Sequence, residues 1–522
     1  MMASRAHRLA RRLSSAAASY DALVIGGGPV GTEIARLGGL IGLNVAVVDP
    51  RGALLAAPTG YVSKVLLDVS NCAERNSRVV PREWTHAKDA LDATAGRALA
   101  MTADLFQDSS VGADVVAGRT EFAPTVIQGR AAFKGRDASG SYEVQVHGAA
   151  PTVVHAPTVF VATGSASTRL PSLPFDEANA TGWIFDSDSI VGIGRVPEHI
   201  FIQGGGLIAV EYAFIFERLG AKVTLALREE RVLQGKDVDI DISAAVGARL
   251  EERGVEIRYG DGDVVKVTPP AEHGGVGSVE LGSGTVVEAG AFLSALGRGG
   301  AAKGLNVENA GLRAPLPSGH LAVDYNSLVA ESTEGDCRVF VAGDTVKDCA
   351  IYPGGLLSTG LAQGHVAVRG AFPEAWRATF PPVGRRVEGS KMDAFPAVAF
   401  WIDDGVATVG VTEQAARLAH GDDIGVASAK YSETVKACVQ PRPDDEFLKI
   451  VYLKTSGSIL GVHIFGKDAS EMINHGAAFV NRGQTIWDVI HSIPPAVTYD
   501  EVFLRAARRA CYSMAQFSGE RA

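Results

Sequence analysis

A chain of 522 residues, 46% hydrophobic and 21% charged, has room for about three domains and the composition of ordinary soluble globular protein. Its formal net charge of −10 and pI near 5.7 argue against a nucleic-acid partner, and no apolar run approaches the roughly 20 residues that span a bilayer. The five cysteines, at 72, 337, 349, 438 and 511, form neither a CxxC pair nor a zinc pattern, which suggests a reducing compartment. The twelve histidines show no HxxxH or HExxH arrangement, and no metal site is expected.

Residues 1–19 carry Arg5, Arg8, Arg11 and Arg12 among Ser and Ala, with no acid. That is the composition of an organellar presequence, and a mitochondrial address is expected. A plastid address, or a basic tail on a cytoplasmic protein, is the alternative.

Tyr20–Asp49 reads as a βαβ unit. The apolar run Ala22–Ile25 is a strand, Gly26-x-Gly28-x-x-Gly31 follows at once, and a helical segment leads to Val45–Val48, which ends on Asp49. This is a dinucleotide fingerprint. Gly26 permits the tight turn, Gly28 lets the backbone approach a pyrophosphate, and Gly31 lets the helix pack close with its N-terminus on the phosphates. Asp49 is placed to accept hydrogen bonds from a ribose. Helical periodicity resumes at Ser63, with Val65, Leu66 and Val69 as its apolar side, and runs to about Phe106. Strand-like pieces follow, and Thr158–Ser165, TVFVATGS, is a buried strand ending in a glycine turn.

A second fingerprint lies at Ile200–Arg228: strand Ile200–Gln203, turn Gly204-x-Gly206-x-x-Ala209, a helix to about Leu219, and strand Val223–Leu227. Alanine serves as the third small residue. This second strand ends on Arg228, with Arg231 close behind and no acid at the ribose position. A carboxylate there would repel a 2′-phosphate, whereas an arginine can pair with it, which favours NADP over NAD. Solvated surface arginines are the bland alternative. Two dinucleotide sites in one chain are most simply used by a bound flavin and an exchanging nicotinamide. A third apolar strand, Val339–Asp344, ends in Gly343-Asp344.

Both fingerprints, Ala162-Thr163-Gly164, Ala295-Leu296-Gly297, Gly343-Asp344 and a C-terminal segment Phe395–Arg508 together resemble the pyridine nucleotide-disulfide oxidoreductase family. The resemblance implies an α/β fold with two Rossmann-type dinucleotide-binding domains plus a C-terminal α+β dimerisation domain, assembled as a homodimer. The implied divisions are a presequence at 1–19, an FAD domain at 20–170 and 301–390, an NAD(P) domain at 171–300 and an interface domain at 391–522. It implies FAD held by Gly26, Gly28, Gly31, Asp49, Lys64, Thr163, Gly164, Gly343 and Asp344. NADP or NAD would exchange at Gly204, Gly206, Glu211, Arg228 and Gly297. Lys64 and Glu211 match a lysine and a glutamate that pair beside the flavin ring in that family, where a positive charge favours the reduced ring. An ordinary structural ion pair is the bland alternative.

The sequence departs from the family at its dithiol. The pattern C-x4-C-x-P-S-K, aligned on Ser63-Lys64, puts Leu55 and Gly60 at the cysteine positions and Val62 at the proline. The C-terminal H-P-T-x-x-E motif becomes Ala496-Val497-Thr498-Tyr499-Asp500-Glu501, without the acid–base histidine. Dithiol–disulfide chemistry is therefore excluded. The soluble pyridine nucleotide transhydrogenases also dispense with the disulfide, and this chain is similar to them at Phe185–Ile190, Val210–Ala213, Ile215-Phe216, Ile459–His463 and Phe465-Gly466. That resemblance implies ping-pong transfer of hydride from NADPH through FAD to NAD. The alternatives are reduction of another small acceptor, such as a quinone, and a degenerate flavin-binding subunit.

Overall fold

The computed structural model describes residues 18–52, 64–66, 69, 70, 89, 93, 94, 124–175, 181–235, 238–333, 335–347, 355–380, 395–402 and 405–521. The chain divides into two compact units, one from 1–60, 92–166 and 298–391, the other from 61–91, 167–297 and 392–522. No helix among the described residues is long and apolar enough to cross a membrane.

The first unit is built on a five-stranded parallel sheet in the order Val339–Val341, Val159–Val161, Ala22–Ile25, Val45–Asp49, Thr125–Gln128. Ala22–Ile25 and Val45–Asp49 are buried at every position, as continuous β-branched and aliphatic runs in a covered parallel sheet must be. Helix Pro29–Leu40 joins those two strands and packs against helix Leu357–Ala371. A Cβ at Gly360 would lie 2.7 Å from the Val30 side chain, and one at Gly364 3.2 Å from Ile34, so two glycines set how closely these helices approach. Beside this layer, Arg130–Arg136, Tyr142–His147 and Thr152–Ala156 form an antiparallel sheet that Ala18–Ser19 joins in parallel. Ala18 and Ser19, the last two residues of the expected presequence, therefore pair with Val154 and His155. Of the helix expected from Ser63 to Phe106, residues 64–66, 69, 70, 89, 93 and 94 are described and helical; the remainder lies outside the described residues.

The second unit contains another five-stranded parallel sheet, in the order Ile184–Asp186, Ala291–Ser294, His199–Gln203, Lys222–Ala226, Glu256–Arg258. The strand expected at Val223–Leu227 begins and ends one residue earlier, at Lys222, which pairs with His199, and at Ala226, which pairs with Arg258, the last residue of its neighbouring strand. Helix Leu207–Arg218 is buried continuously from Ala209 to Phe216, as its nearly all-apolar circumference requires. A three-stranded antiparallel sheet, 264–268, 277–281 and 286–289, is appended. The C-terminal part is a five-stranded antiparallel sheet in the order 398–400, 406–410, 459–465, 447–453, 424–430, faced by helices Ala469–Asn481 and Glu501–Arg521. Its core is a separate cluster that includes Tyr431, Leu448, Ile450, Tyr452 and Phe503.

Candidate dinucleotide sites

The first glycine turn sits at the carboxyl end of the first unit's sheet. Gly26 has φ of +109°, and a Cβ there would lie 2.3 Å from Ala162 O. A Cβ at Gly31 would lie 1.9 Å from Gly26 O, so neither position accepts a side chain. Gly28 differs: a Cβ built there meets no described atom within 4 Å. Its bare backbone faces open space, which is the arrangement a pyrophosphate needs. Gly28 is also the extended N-cap of helix Pro29–Leu40, which has no side-chain cap and no acid in its first turn. The N–H groups at that end are left for an anion.

Asp49 is 8% exposed, and its Oδ2 accepts the Gly27 N–H at 2.9 Å while Oδ1 accepts the Arg51 N–H at 2.8 Å. The acid expected at a ribose thus also holds the glycine turn, and each oxygen keeps a second lone pair. Just past the ends of the neighbouring strands, Thr163 Oγ1 meets Thr345 Oγ1 at 3.1 Å, and Thr345 Oγ1 donates to Gly164 O at 3.1 Å. Asp344 Oδ2 accepts from Ser165 Oγ at 2.9 Å, and Gly343 N–H donates to Gln363 Oε1 at 2.7 Å. The first unit therefore gathers Gly26, Gly28, Gly31, Asp49, Thr163, Gly164, Gly343 and Asp344 at one end of one sheet. Arg298 joins them, donating to Ser165 Oγ and Ser165 O at 2.9 Å each. Sequence reading missed Arg298, Ser165 and Thr345, whose only signal was adjacency to the glycine turns at Gly297, Gly164 and Gly343.

The second unit repeats the device. Gly204 has φ of +120°, and a Cβ there would lie 2.5 Å from Ala295 O. Gly206 is the extended, side-chain-free N-cap of helix Leu207–Arg218, again with no acid in the first turn. Ala209 is fully buried where the third small residue is needed, and Gly297, with φ of +94°, opens onto space with no described atom within 4 Å of a Cβ. Arg228 is exposed just beyond strand Lys222–Ala226. Arg231 Nε is buried without a hydrogen-bond partner among the described residues. A buried guanidinium nitrogen with no acceptor fits an anionic ligand at this strand end.

Lys64 Nζ lies 2.8 Å from Glu211 Oε1. The Glu211 side chain is 4% exposed and that of Lys64 28%, so the pair is the answer to a carboxylate on an otherwise apolar helix. Leu55, Gly60 and Val62 lie outside the described residues. Ala496 is exposed, and Thr498 Oγ1 donates to Pro495 O at 2.8 Å. Both Glu501 oxygens are engaged in the same unit: Oε2 accepts the Val435 N–H at 2.7 Å and Oε1 accepts from Arg505 at 2.6 Å. Glu501 thus works as a structural acceptor without a histidine beside it. His463 is fully buried, and desolvation by burial holds its pKa below the usual value. Among the described residues no group of three or more His, Cys, Asp or Glu could hold a metal ion.

Comparison with known proteins assigns these features. Residues 20–371 match the family model described as pyridine nucleotide-disulphide oxidoreductase, and residues 396–507 match the dimerisation domain of the same family. The chain is 26% identical over 501 residues to dihydrolipoyl dehydrogenase 3 of Pseudomonas putida, covering 94% of this chain and 97% of that one. It is 30% identical over 357 residues to a soluble pyridine nucleotide transhydrogenase of Colwellia psychrerythraea, covering 68% and 69%. Among solved structures, the HOCl-induced flavoprotein disulfide reductase RclA of Escherichia coli superposes with a TM-score of 0.75 at 21% identity, over 94% of this chain and 99% of that one.

Proposed function

The chain belongs to the pyridine nucleotide-disulphide oxidoreductase family, and from that premise we propose that it is an FAD-dependent oxidoreductase without a redox disulfide, passing hydride from NADPH to NAD. The observation that carries this reading is the pair of glycine-turn cradles, each with a bare, extended glycine N-cap, one ending in Asp49 and the other in Arg228. A flavin bound in the first cradle would supply a two-electron carrier, accepting hydride from one nicotinamide and releasing it to another. The absence of cysteine at 55 and 60 and of histidine at 496 removes the thiol route that the family otherwise uses.

The chain's own residues have separable tasks. Gly28 and the N-terminus of helix Pro29–Leu40 bind the pyrophosphate, Asp49 orients the adenosine ribose and Asp344 the ribityl chain, with Ser165 holding Asp344 in place. Gly204, Gly206 and Gly297 cradle the exchanging nucleotide, and Arg228 with Arg231 selects a 2′-phosphate. Lys64, held in place by its ion pair with Glu211, is the positive charge that favours the reduced flavin. The dimerisation domain leaves Val439, Trp487, Ile493 and Val497 half or more exposed, in keeping with a homodimer. A mitochondrial address is proposed from residues 1–19, and a fusion of that segment to a fluorescent protein tests it.

Two relatives that match across this chain or two thirds of it are named soluble pyridine nucleotide transhydrogenase, from Colwellia psychrerythraea and Mycobacterium bovis. Steady-state reduction of thio-NAD by NADPH tests the reading. Because both nucleotides would use the second cradle in turn, double-reciprocal plots are expected to be parallel. Absence of thio-NAD reduction by protein that carries FAD would contradict the proposal.

A further inference from the structure

Two helices of the second unit begin nose to nose. Asp239 is the N-cap of helix Ile240–Glu252, its Oδ1 accepting the Asp241 N–H at 3.1 Å. Its other oxygen, Oδ2, accepts at 2.9 Å the N–H of Glu413, the first residue of helix Glu413–His420. Gln414 returns the contact, its Oε1 accepting the Ile240 N–H at 3.3 Å. One carboxylate therefore serves two helix starts, where negative charge is favoured. Lys449, on strand Phe447–Leu453, fills the space beside them with no exposed side-chain surface. Its Nζ lies 2.8 Å from Asp239, 2.7 Å from Asp241 and 2.6 Å from Glu413. At the far end of the first helix, Arg249 holds both carboxylate oxygens of Asp445 at 2.8 and 2.7 Å.

This clasp is linked to the second glycine turn. Ser243, in the first turn of helix Ile240–Glu252, donates from Oγ to Val232 O at 2.6 Å. The next residue, Leu233, donates its N–H to Gly205 O, also at 2.6 Å. Gly205 itself packs against Leu227, where a Cβ would lie 2.7 Å from the leucine side chain. The segment bearing Arg231 is thus tied to the helix on one side and to the glycine turn on the other. Replacing a buried ionic cluster by apolar residues of equal volume is often neutral or stabilising, so stability alone does not account for it; a lysine held by three carboxylates does define one geometry.

We infer that Lys449 is a positioning residue for the nucleotide in the second cradle: it sets helix Ile240–Glu252 and, through Ser243 and Leu233, the glycine turn and Arg231. The inference rests on reading that cradle as the nicotinamide nucleotide site. The test uses full-length protein with Lys449→Gln, Lys449→Arg and Ser243→Ala. Titration with NADPH and with redox-inert 2′,5′-ADP gives the affinities, and FAD content and thermal unfolding are followed alongside. Lys449→Gln and Ser243→Ala are each expected to raise both Kd values about three- to tenfold with FAD content unchanged. Lys449→Arg is expected to restore part of the loss, and the double variant to lose less than the product of the singles. Kd values within twofold of wild type in both single variants, whatever the melting temperature, overturn the inference and leave the cluster as a strut. Should Lys449→Gln not fold, Ser243→Ala, which keeps every charge, decides alone. Wild-type protein that binds no NADPH, NADH or 2′,5′-ADP would instead defeat the nucleotide reading. Amide exchange over residues 229–235 then decides the mechanical link: faster exchange in Lys449→Gln or Ser243→Ala supports it, and unchanged exchange removes it.

Discussion

Single residues divide into those whose side chain would collide and those whose absence of side chain faces a ligand. Gly31→Ala places a methyl 1.9 Å from Gly26 O and is expected to disrupt the first unit itself. Gly28→Ala meets open space, so folding of the FAD-free protein should be unaffected while FAD affinity falls. Thermal unfolding of the FAD-free proteins together with FAD titration separates the two, and a Gly28→Ala protein that retains wild-type FAD affinity would contradict the phosphate role. Lys64→Ala and Glu211→Ala are expected to slow flavin reduction by NADPH in stopped flow without loss of FAD. Lys64→Ala also leaves Glu211, 4% exposed, without its partner, at a cost of about 1–3 kcal/mol in stability. Unchanged reduction rates in both variants would remove the proposed catalytic role and leave a structural pair. Arg228→Ala and Arg231→Ala should weaken NADPH more than NADH, by up to about 1.5–3 kcal/mol where the guanidinium is desolvated and less at exposed Arg228. Equal weakening of both nucleotides would argue against an NADP preference.

At the scale of elements, helix starts carry most of the chemistry. Two face open glycine turns, and two others face one another across Asp239. At that second junction, burial raises the Asp239 and Glu413 pKa values, but the hydrogen bond from Lys449 to each, together with the Glu413 N–H and nearby positive charge at Asp239 and with Arg417 at Glu413, outweighs it and leaves both below their ordinary 3.8 and 4.5. Burial lowers the Lys449 pKa, and its three carboxylate partners carry it above 10.5. The carboxylates therefore contribute stability that is fully present above pH 4.5 and is lost as pH falls through their lowered values. The lysine's contribution is present below pH 10.5 and is lost as pH rises past its raised value. Lys449→Met is expected to cost about 3–5 kcal/mol near pH 7, because it strands buried charge. That deficit should narrow in acid, where the stranded carboxylates take up protons; a deficit independent of pH between 7 and 3 would contradict the ionic account. Glu33, where hydrogen bonds from Arg36 and His365 overcome burial and hold the pKa at about 2, keeps its contribution further into acid.

The glycine turns and their strands were legible because backbone geometry there demands a residue type. Ala22–Ile25, Gly26 and Gly204 could be read from local spacing alone, whereas Gly343 took its role from the family resemblance. The strand at Lys222–Ala226 stood one residue off, since its ends are set by pairing with His199 and Arg258, which lie 23 and 32 positions away from Lys222 and Ala226. Lys449 was invisible for the same reason on a larger scale: its carboxylates at 239, 241 and 413 lie far off in sequence, and nothing around Phe447–Leu453 announces a buried cation. Arg298 and Ser165 were missed likewise, being 133 positions apart. Pairings of that kind are products of the folded chain.

For the whole molecule, the proposed function requires that two dinucleotide cradles, in the absence of a redox dithiol, suffice for two half-reactions in succession. Each compact unit has its own parallel sheet, and each presents one cradle at its carboxyl end. The direct measurement is anaerobic: FAD-loaded protein is mixed with NADPH, the flavin absorbance is followed, and thio-NAD is then added. Bleaching by NADPH followed by rapid reoxidation by thio-NAD is the expected result. Bleaching without reoxidation would contradict transfer to NAD and leave another small acceptor, a quinone first, as the oxidant. No bleaching with either NADPH or NADH would contradict the enzyme reading altogether.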